Sequence, residues 1–225
     1  MIEDNVRRIL AGISDAAVHA GRKPEEITLC AVTKTVDAQK AQEVLNCGVH
    51  VLGENRVQSL TDKYNVLGSA AEWHLIGHLQ TNKVKYVMDK VSLIHSVDSL
   101  HLAEEIQRRS AALGKITNIL IEVNVSGEAS KYGIAPSETE VLLEKLAPFS
   151  ALCVRGLMTI APIPEKEGAN RQYFAQLREL FERVSTKKYD NCKMDVLSMG
   201  MSRDYLDAVK EGATVVRVGT ALFAE

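Results

Sequence analysis

The run Leu29-Cys30-Ala31-Val32-Thr33-Lys34 is apolar over the length of a β-strand and stops on one lysine. A lysine held at the mouth of a hydrophobic strand is partly desolvated, which lowers its pKa and frees the amine to attack a carbonyl carbon. That is the chemistry of a Schiff base. The local residues leave a plainer role open, because lysines also end buried strands by carrying their ammonium out to water. Lys40, Lys83 and Lys131 are rival amines, Lys40 on a predicted helix face.

Two segments have the composition of a phosphate cradle. In Ser198-Met199-Gly200-Met201-Ser202-Arg203-Asp204 a glycine stands between hydroxyl residues just before a helical pattern, so backbone N–H groups and the hydroxyls of Ser198 and Ser202 can face an anion. Gly219-Thr220 repeats the arrangement after the last strand-like run. Each has a structural alternative: Ser202 as the N-cap of the following helix, Gly219 as a tight turn.

Arg217 lies inside Thr214-Val215-Val216-Arg217-Val218, among β-branched neighbours. An unpaired buried guanidinium is costly, so its side chain either reaches a ligand-bearing mouth or pairs with a carboxylate. His74 and His78 are four apart but lack the glutamate and helical setting of a zinc-binding H-E-x-x-H, so no metal site is expected, and His74 reads as a hydrogen-bonded core residue. Nothing resembles a G-x-S-x-G elbow, a Walker A loop or a G-x-G-x-x-G turn.

The elements that must position these residues alternate. Val6, Ile9, Leu10, Ile13, Ala17 and Val18 recur at helical spacing and Gly21 closes the pattern, so the chain opens with an amphipathic helix. Strands are expected at 27–33, 49–53, 73–77, 91–97, 116–125, 152–160, 194–198 and 214–218. Helical patterns fall between many of them, at 37–46, 55–64, 99–112, 136–146, 172–184 and 202–211. Strand then helix with short connections implies parallel strands and right-handed crossovers. Eight units close into a (β/α)8 TIM-type barrel, here with an extra N-terminal helix, and an open doubly wound sheet is the competing arrangement. In a barrel the candidate residues follow the carboxyl ends of their strands and converge on one mouth, with the phosphate loops after strands seven and eight.

At 225 residues one such barrel accounts for the whole chain as a single domain, 1–225. The 46% hydrophobic and 25% charged composition is that of an ordinary globular protein, and no apolar run reaches the roughly 20 residues of a spanning helix. The N-terminal Met1-Ile2-Glu3-Asp4 carries acids and lacks the order of a secretory signal, so a cytoplasmic protein is expected. Cys30, Cys47, Cys153 and Cys192 form no C-x-x-C pair and read as buried thiols. A formal charge of −2 supplies no global field for nucleic acid.

Taken together, Ala31-Val32-Thr33-Lys34-Thr35, Gly53-Glu54-Asn55-Arg56-Val57-Gln58, the run from Trp73 to Lys83, His95-Ser96-Val97-Asp98, Ser198 to Asp204 and Arg217-Val218-Gly219-Thr220 resemble the pyridoxal 5′-phosphate (PLP) homeostasis proteins from end to end. The resemblance implies the barrel domain alone of the PLP fold type III, similar to the N-terminal domain of alanine racemase. It implies PLP carried covalently on Lys34, Asn55 beside the ring, Ser198, Gly200, Ser202, Gly219 and Thr220 around the phosphate, and Arg217 facing the pyridine nitrogen. One departure is Ala224 near the C-terminus, where the family often has glycine, and it bears on the closing helix rather than on the site.

Racemization needs an acid/base group on each face of the substrate's α-carbon. In the racemases similar to this barrel the second group is a tyrosine from a separate β domain of the neighbouring subunit, and too few residues follow the eighth strand to build one. The expectation is therefore a non-catalytic PLP carrier, with apo PLP enzymes as its partners, neither nucleic acid nor membrane bound, and a monomer or weak dimer. A racemase-like PLP enzyme, or a Schiff-base aldolase acting on another aldehyde, is the alternative.

Overall fold

A computed structural model describes residues 1–224. Eight strands, β1 Thr28–Val32, β2 Val51–Glu54, β3 Glu72–Leu75, β4 Leu93–Val97, β5 Thr117–Glu122, β6 Leu152–Met158, β7 Cys192–Ser198 and β8 Val215–Val218, pair in sequence order and all in parallel. The ring closes where β8 pairs with β1, Cys30 standing opposite Arg217. The closed barrel is as expected, and the open sheet is excluded.

Period-two alternation sorts each strand into an outer face, toward the helices, and an inner face, toward the barrel axis. Leu29, Ala31, Val216 and Val218 join the large apolar layer between barrel and helices. Cys30, Val32, Val51, Ile76 and Val215 form one small cluster inside, and Leu93, Leu120 and Met158 a second. The inner face is not purely apolar, because the same alternation carries His74, His95, Ser198 and Arg217 inward, all buried.

The outer layer comprises α1 Ile2–His19, α2 Ala38–Asn46, α3 Val57–Leu67, α4 Leu100–Ala112, α5 Thr139–Leu146, α6 Arg171–Ser185, α7 Tyr205–Lys210 and the short α8 Thr220–Phe223. Their starts are written in the sequence: Asp37 accepts the Lys40 N–H at 2.9 Å, and Ser99 accepts that of Leu102 at 3.3 Å. Between β3 and β4 the chain makes only a 3₁₀ helix, Thr81–Tyr86, in the stretch that lacked a helical pattern.

The first helix forms as expected, and Gly21 follows it in the left-handed region at φ 69°. Its buried stripe is Val6, Ile9, Ile13, Ala16 and Ala17, packed over α2, α7 and α8. Leu10 and Val18, expected on that face, are exposed because they lie on its flanks. The closing helix α8 forms despite Ala224, and Glu225 lies outside the described residues. Among the described residues no helix is long and apolar enough to cross a membrane. The four cysteines are free thiols, but only Cys30 is fully buried; Cys47, Cys153 and Cys192 are half-buried.

Candidate functional site

The predicted residues end or follow β1, β2, β7 and β8, which are consecutive in the ring, so they share one arc of the barrel rim. Lys34 continues the inner phase of Cys30 and Val32, but the strand ends at Val32 and the chain turns, closed by the Val36 N–H on the Thr33 carbonyl at 3.1 Å. There Lys34 is exposed, so the desolvation expected from its apolar strand is not supplied by the protein. Beyond β2, Asn55 leaves its side-chain oxygen buried and without a hydrogen-bond partner.

The two glycine turns form one unit. The helix expected from Ser202 starts at Tyr205, with Asp204 as its N-cap residue and accepting the Met201 N–H at 2.6 Å, so Ser202 is not the cap. Its hydroxyl instead accepts the N–H groups of Gly219 at 3.3 Å and Ala221 at 3.2 Å, joining the β7 loop to the start of α8. Gly200 sits at φ 90°, where a Cβ would lie 2.4 Å from that of Ala208. Its carbonyl accepts the Arg217 N–H at 3.0 Å. Gly219 allows the last turn to pack on β1, since a Cβ there would lie 2.9 Å from the Val32 carbonyl. Thr220 opens α8 and is exposed.

Arg217 is 3% exposed and makes no ion pair among the described residues. Its guanidinium donates to Ser198 Oγ at 2.5 Å and to the Thr159 carbonyl at 2.7 Å, so the structural ion pair weighed from sequence is not formed. Burial lowers its pKa, while Cys30, Glu122 and Asp204 favour the cation. The Ser198 hydroxyl, expected on the phosphate, is fully buried and engaged by Arg217 and by His95 Nδ1 at 3.0 Å. The Ser198 hydroxyl is thus committed to the arginine and the histidine, because its position at the end of β7 points inward.

The opposite arc holds a carboxylate, Glu122, that sequence reasoning did not single out. Glu122 ends β5 on the inner phase set by Leu120, and burial pushes its carboxyl up to about 7, with Asp98 adding repulsion and Arg217 opposing it. Asp98 lies 3.5 Å from His78 Nδ1, and the His78 ring stacks on Tyr132 at 4.2 Å. The available sign was parity: a carboxylate two positions beyond an inward leucine must face the barrel axis. His74 is the buried, hydrogen-bonded residue expected. Among the described residues no group of three His, Cys, Asp or Glu is placed to hold a metal.

An orphaned acceptor on Asn55, a buried guanidinium and paired turns rich in N–H donors suit a planar anionic ligand with a hydrogen-bonding ring edge. A family model described as the alanine racemase N-terminal domain matches residues 6–225. The pyridoxal phosphate homeostasis protein of Aquifex aeolicus is 45% identical over 223 residues, covering 99% of this chain and 97% of that one. This chain belongs to the pyridoxal phosphate homeostasis protein family. Among solved structures, PipY of Synechococcus elongatus, determined with PLP bound, is 32% identical, with a TM-score of 0.86 and full coverage of both chains. Alanine racemase of Corynebacterium glutamicum shares the fold, with a TM-score of 0.71 at 16% identity over 96% of this chain and 60% of that one.

Proposed function

We propose that this protein binds PLP at the barrel mouth, holds it as a Schiff base on Lys34, and serves cytoplasmic PLP homeostasis as a single-domain carrier. The observation that carries this reading is the meeting on one arc of Lys34, Asn55, a buried arginine and a two-turn cluster of N–H donors. Bound PLP supplies an aldehyde for a lysine amine and a phosphate for the turns.

The chain's own residues then have separable tasks. Gly200, Ser202 and Thr220 offer backbone and hydroxyl donors to the phosphate, and Gly219, its N–H held by Ser202, shapes the turn around it. Arg217 does not give up its proton at ordinary pH, so against a pyridine nitrogen it donates and keeps that nitrogen unprotonated, which makes the ring a weaker electron sink. Lys34 is exposed, which leaves its linkage open to water and favours reversible loading over turnover. The curated relatives are named for homeostasis and match over nearly their whole length. Apo PLP enzymes are the recipients this chemistry fits, and the protein acts as a monomer or weak dimer, without nucleic acid or membrane.

Purified protein is expected to be yellow, to lose the colour on borohydride reduction, and to yield a pyridoxyl adduct on the peptide containing Lys34. Lys34→Ala should lose the covalent link and keep weaker, phosphate-mediated binding. An adduct on Lys40, Lys83 or Lys131 in its place would reassign the amine. Activation of an apo-enzyme by the loaded protein in the presence of a trap for free PLP tests delivery. Turnover of an amino acid on the order of 1 to 1000 per second would favour the racemase-like reading.

A further inference from the structure

A line of polar side chains crosses the interior of the barrel. Arg217 Nη1 lies 2.5 Å from Ser198 Oγ, Ser198 Oγ 3.0 Å from His95 Nδ1, His95 Nε2 3.0 Å from His74 Nδ1, and His74 Nε2 3.3 Å from Glu72 Oε1. Arg217 and Ser198 stand at the carboxyl ends of β8 and β7, whereas Glu72 is the first residue of β3, at the opposite end of the barrel, with a side chain 55% exposed. The three residues between, Ser198, His95 and His74, are buried.

The direction of every hydrogen bond follows from its first member. A guanidinium only donates, so Ser198 Oγ accepts from Arg217. The Ser198 hydroxyl has one hydrogen, is shut off from water, and has His95 Nδ1 as its other partner, so it donates there. His95 must then carry its proton on Nε2 and donate to His74 Nδ1, and His74 must carry its proton on Nε2 and donate to Glu72. A chain that starts on a cation, ends on a carboxylate and has all its dipoles aligned polarises each member in the same sense. Burial holds the His95 pKa well below the ordinary value, and His74 and Arg217 add repulsion against a second proton there. Glu72 lies below the usual carboxylate range, with its His74 hydrogen bond the largest cause.

We propose that Glu72, His74, His95 and Ser198 are positioning residues that form a one-way hydrogen-bond relay, fixing the Arg217 guanidinium at the mouth from the far end of the barrel. The consequence for the cofactor rests on the reading of Arg217 given above; the proton arrangement does not. The relay makes the arginine's orientation depend on a residue that touches no ligand.

Two-bond 1H–15N correlation spectra of the cofactor-free wild-type protein report which ring nitrogen carries each imidazole proton. The expected result is Nε2–H for both His95 and His74. A proton on His95 Nδ1, or a doubly protonated His74, would reverse the line and overturn the proposal. Glu72→Ala, at an exposed position, should shift the His95 ring signals although the two residues do not touch, and unchanged signals would also overturn it. His95→Phe should release PLP about tenfold more readily while borohydride still traps the adduct on Lys34, the loss expected for one buried hydrogen bond of the relay. Equal retention would refute the positioning role. If the wild-type protein takes up no PLP, the functional reading fails while the tautomers remain a separate result.

Discussion

Lys63 Nζ donates to the carbonyl of Thr33 at 2.7 Å, so a buried ammonium from helix α3 clamps the peptide that leads into Lys34. The same ammonium contacts Glu54 Oε1 at 2.5 Å, and Glu54 also accepts from Thr33 Oγ1 at 2.6 Å and Ser59 Oγ at 2.9 Å. Glu54 is fully buried and Lys63 is 6% exposed. The ends of β1 and β2 are thus tied to one helix by a network whose charges and hydrogen bonds are matched.

Removing one partner of a buried pair strands the other. Lys63→Met should destabilise the protein by about 3–5 kcal/mol in urea unfolding, whereas the Glu54→Leu/Lys63→Met double variant should lose less than the two single losses added. Strict additivity would show that the pair does not act as a unit. The single variant should also bind PLP at Lys34 more loosely, because the turn that carries the amine loses its anchor.

Glu122 gives a pH dependence of definite sign. Its folded carboxyl titrates at about 7 against an ordinary 4.5, so the native state holds an extra proton between those values and stability falls as pH rises through that window. Glu122→Gln removes the penalty. In cofactor-free protein the variant should gain up to about 3 kcal/mol relative to wild type at pH 8 compared with pH 4, using about 1.36 kcal/mol per unit. An equal difference at both pH values would place the carboxyl in ordinary solvent.

His95 acts in the opposite direction. Its folded pKa is well below 6.5, so the unfolded chain takes up a proton that the native state refuses, and stability falls as pH drops below that value. The slope approaches about 1.4 kcal/mol per pH unit for one proton. His95→Gln should flatten the acid limb of a plot of unfolding midpoint against pH, and an unaltered limb would assign the acid sensitivity elsewhere.

Gly200→Ala adds a methyl group where the backbone is left-handed and where Ala208 already lies 2.4 Å away. The expected cost exceeds about 1 kcal/mol in thermal unfolding, and since the Gly200 carbonyl holds the Arg217 N–H, PLP retention should fall with it. A variant with unchanged retention would separate this turn from the phosphate site.

The barrel was legible because its strands are short apolar runs separated by helical patterns, which needs only local periodicity. The site was partly legible. Lys34, Asn55, Arg217 and the two glycine turns lie at strand ends, where position alone marks them. Ser198 ends the seventh strand as expected, but its burial between Arg217 and His95 on the inner face could not be read from the chain alone. The exposure of Lys34 was one of the two readings its local residues left open, and it follows because β1 ends at Val32, before the lysine.

What the sequence determined by itself is the alternation of elements, the strand-end location of the cofactor candidates, and the family to which those residues point, since each depends on spacing along one chain. Only the tertiary structure decided which side chains meet inside the ring. Glu72, His74, His95, Ser198 and Arg217 come from four strands spread over nearly 150 positions, as do Glu54 and Lys63 from a strand and its helix on a smaller scale. Whether a buried polar group is satisfied depends on partners that closure of the barrel brings within 3 Å, and no local pattern records that distance.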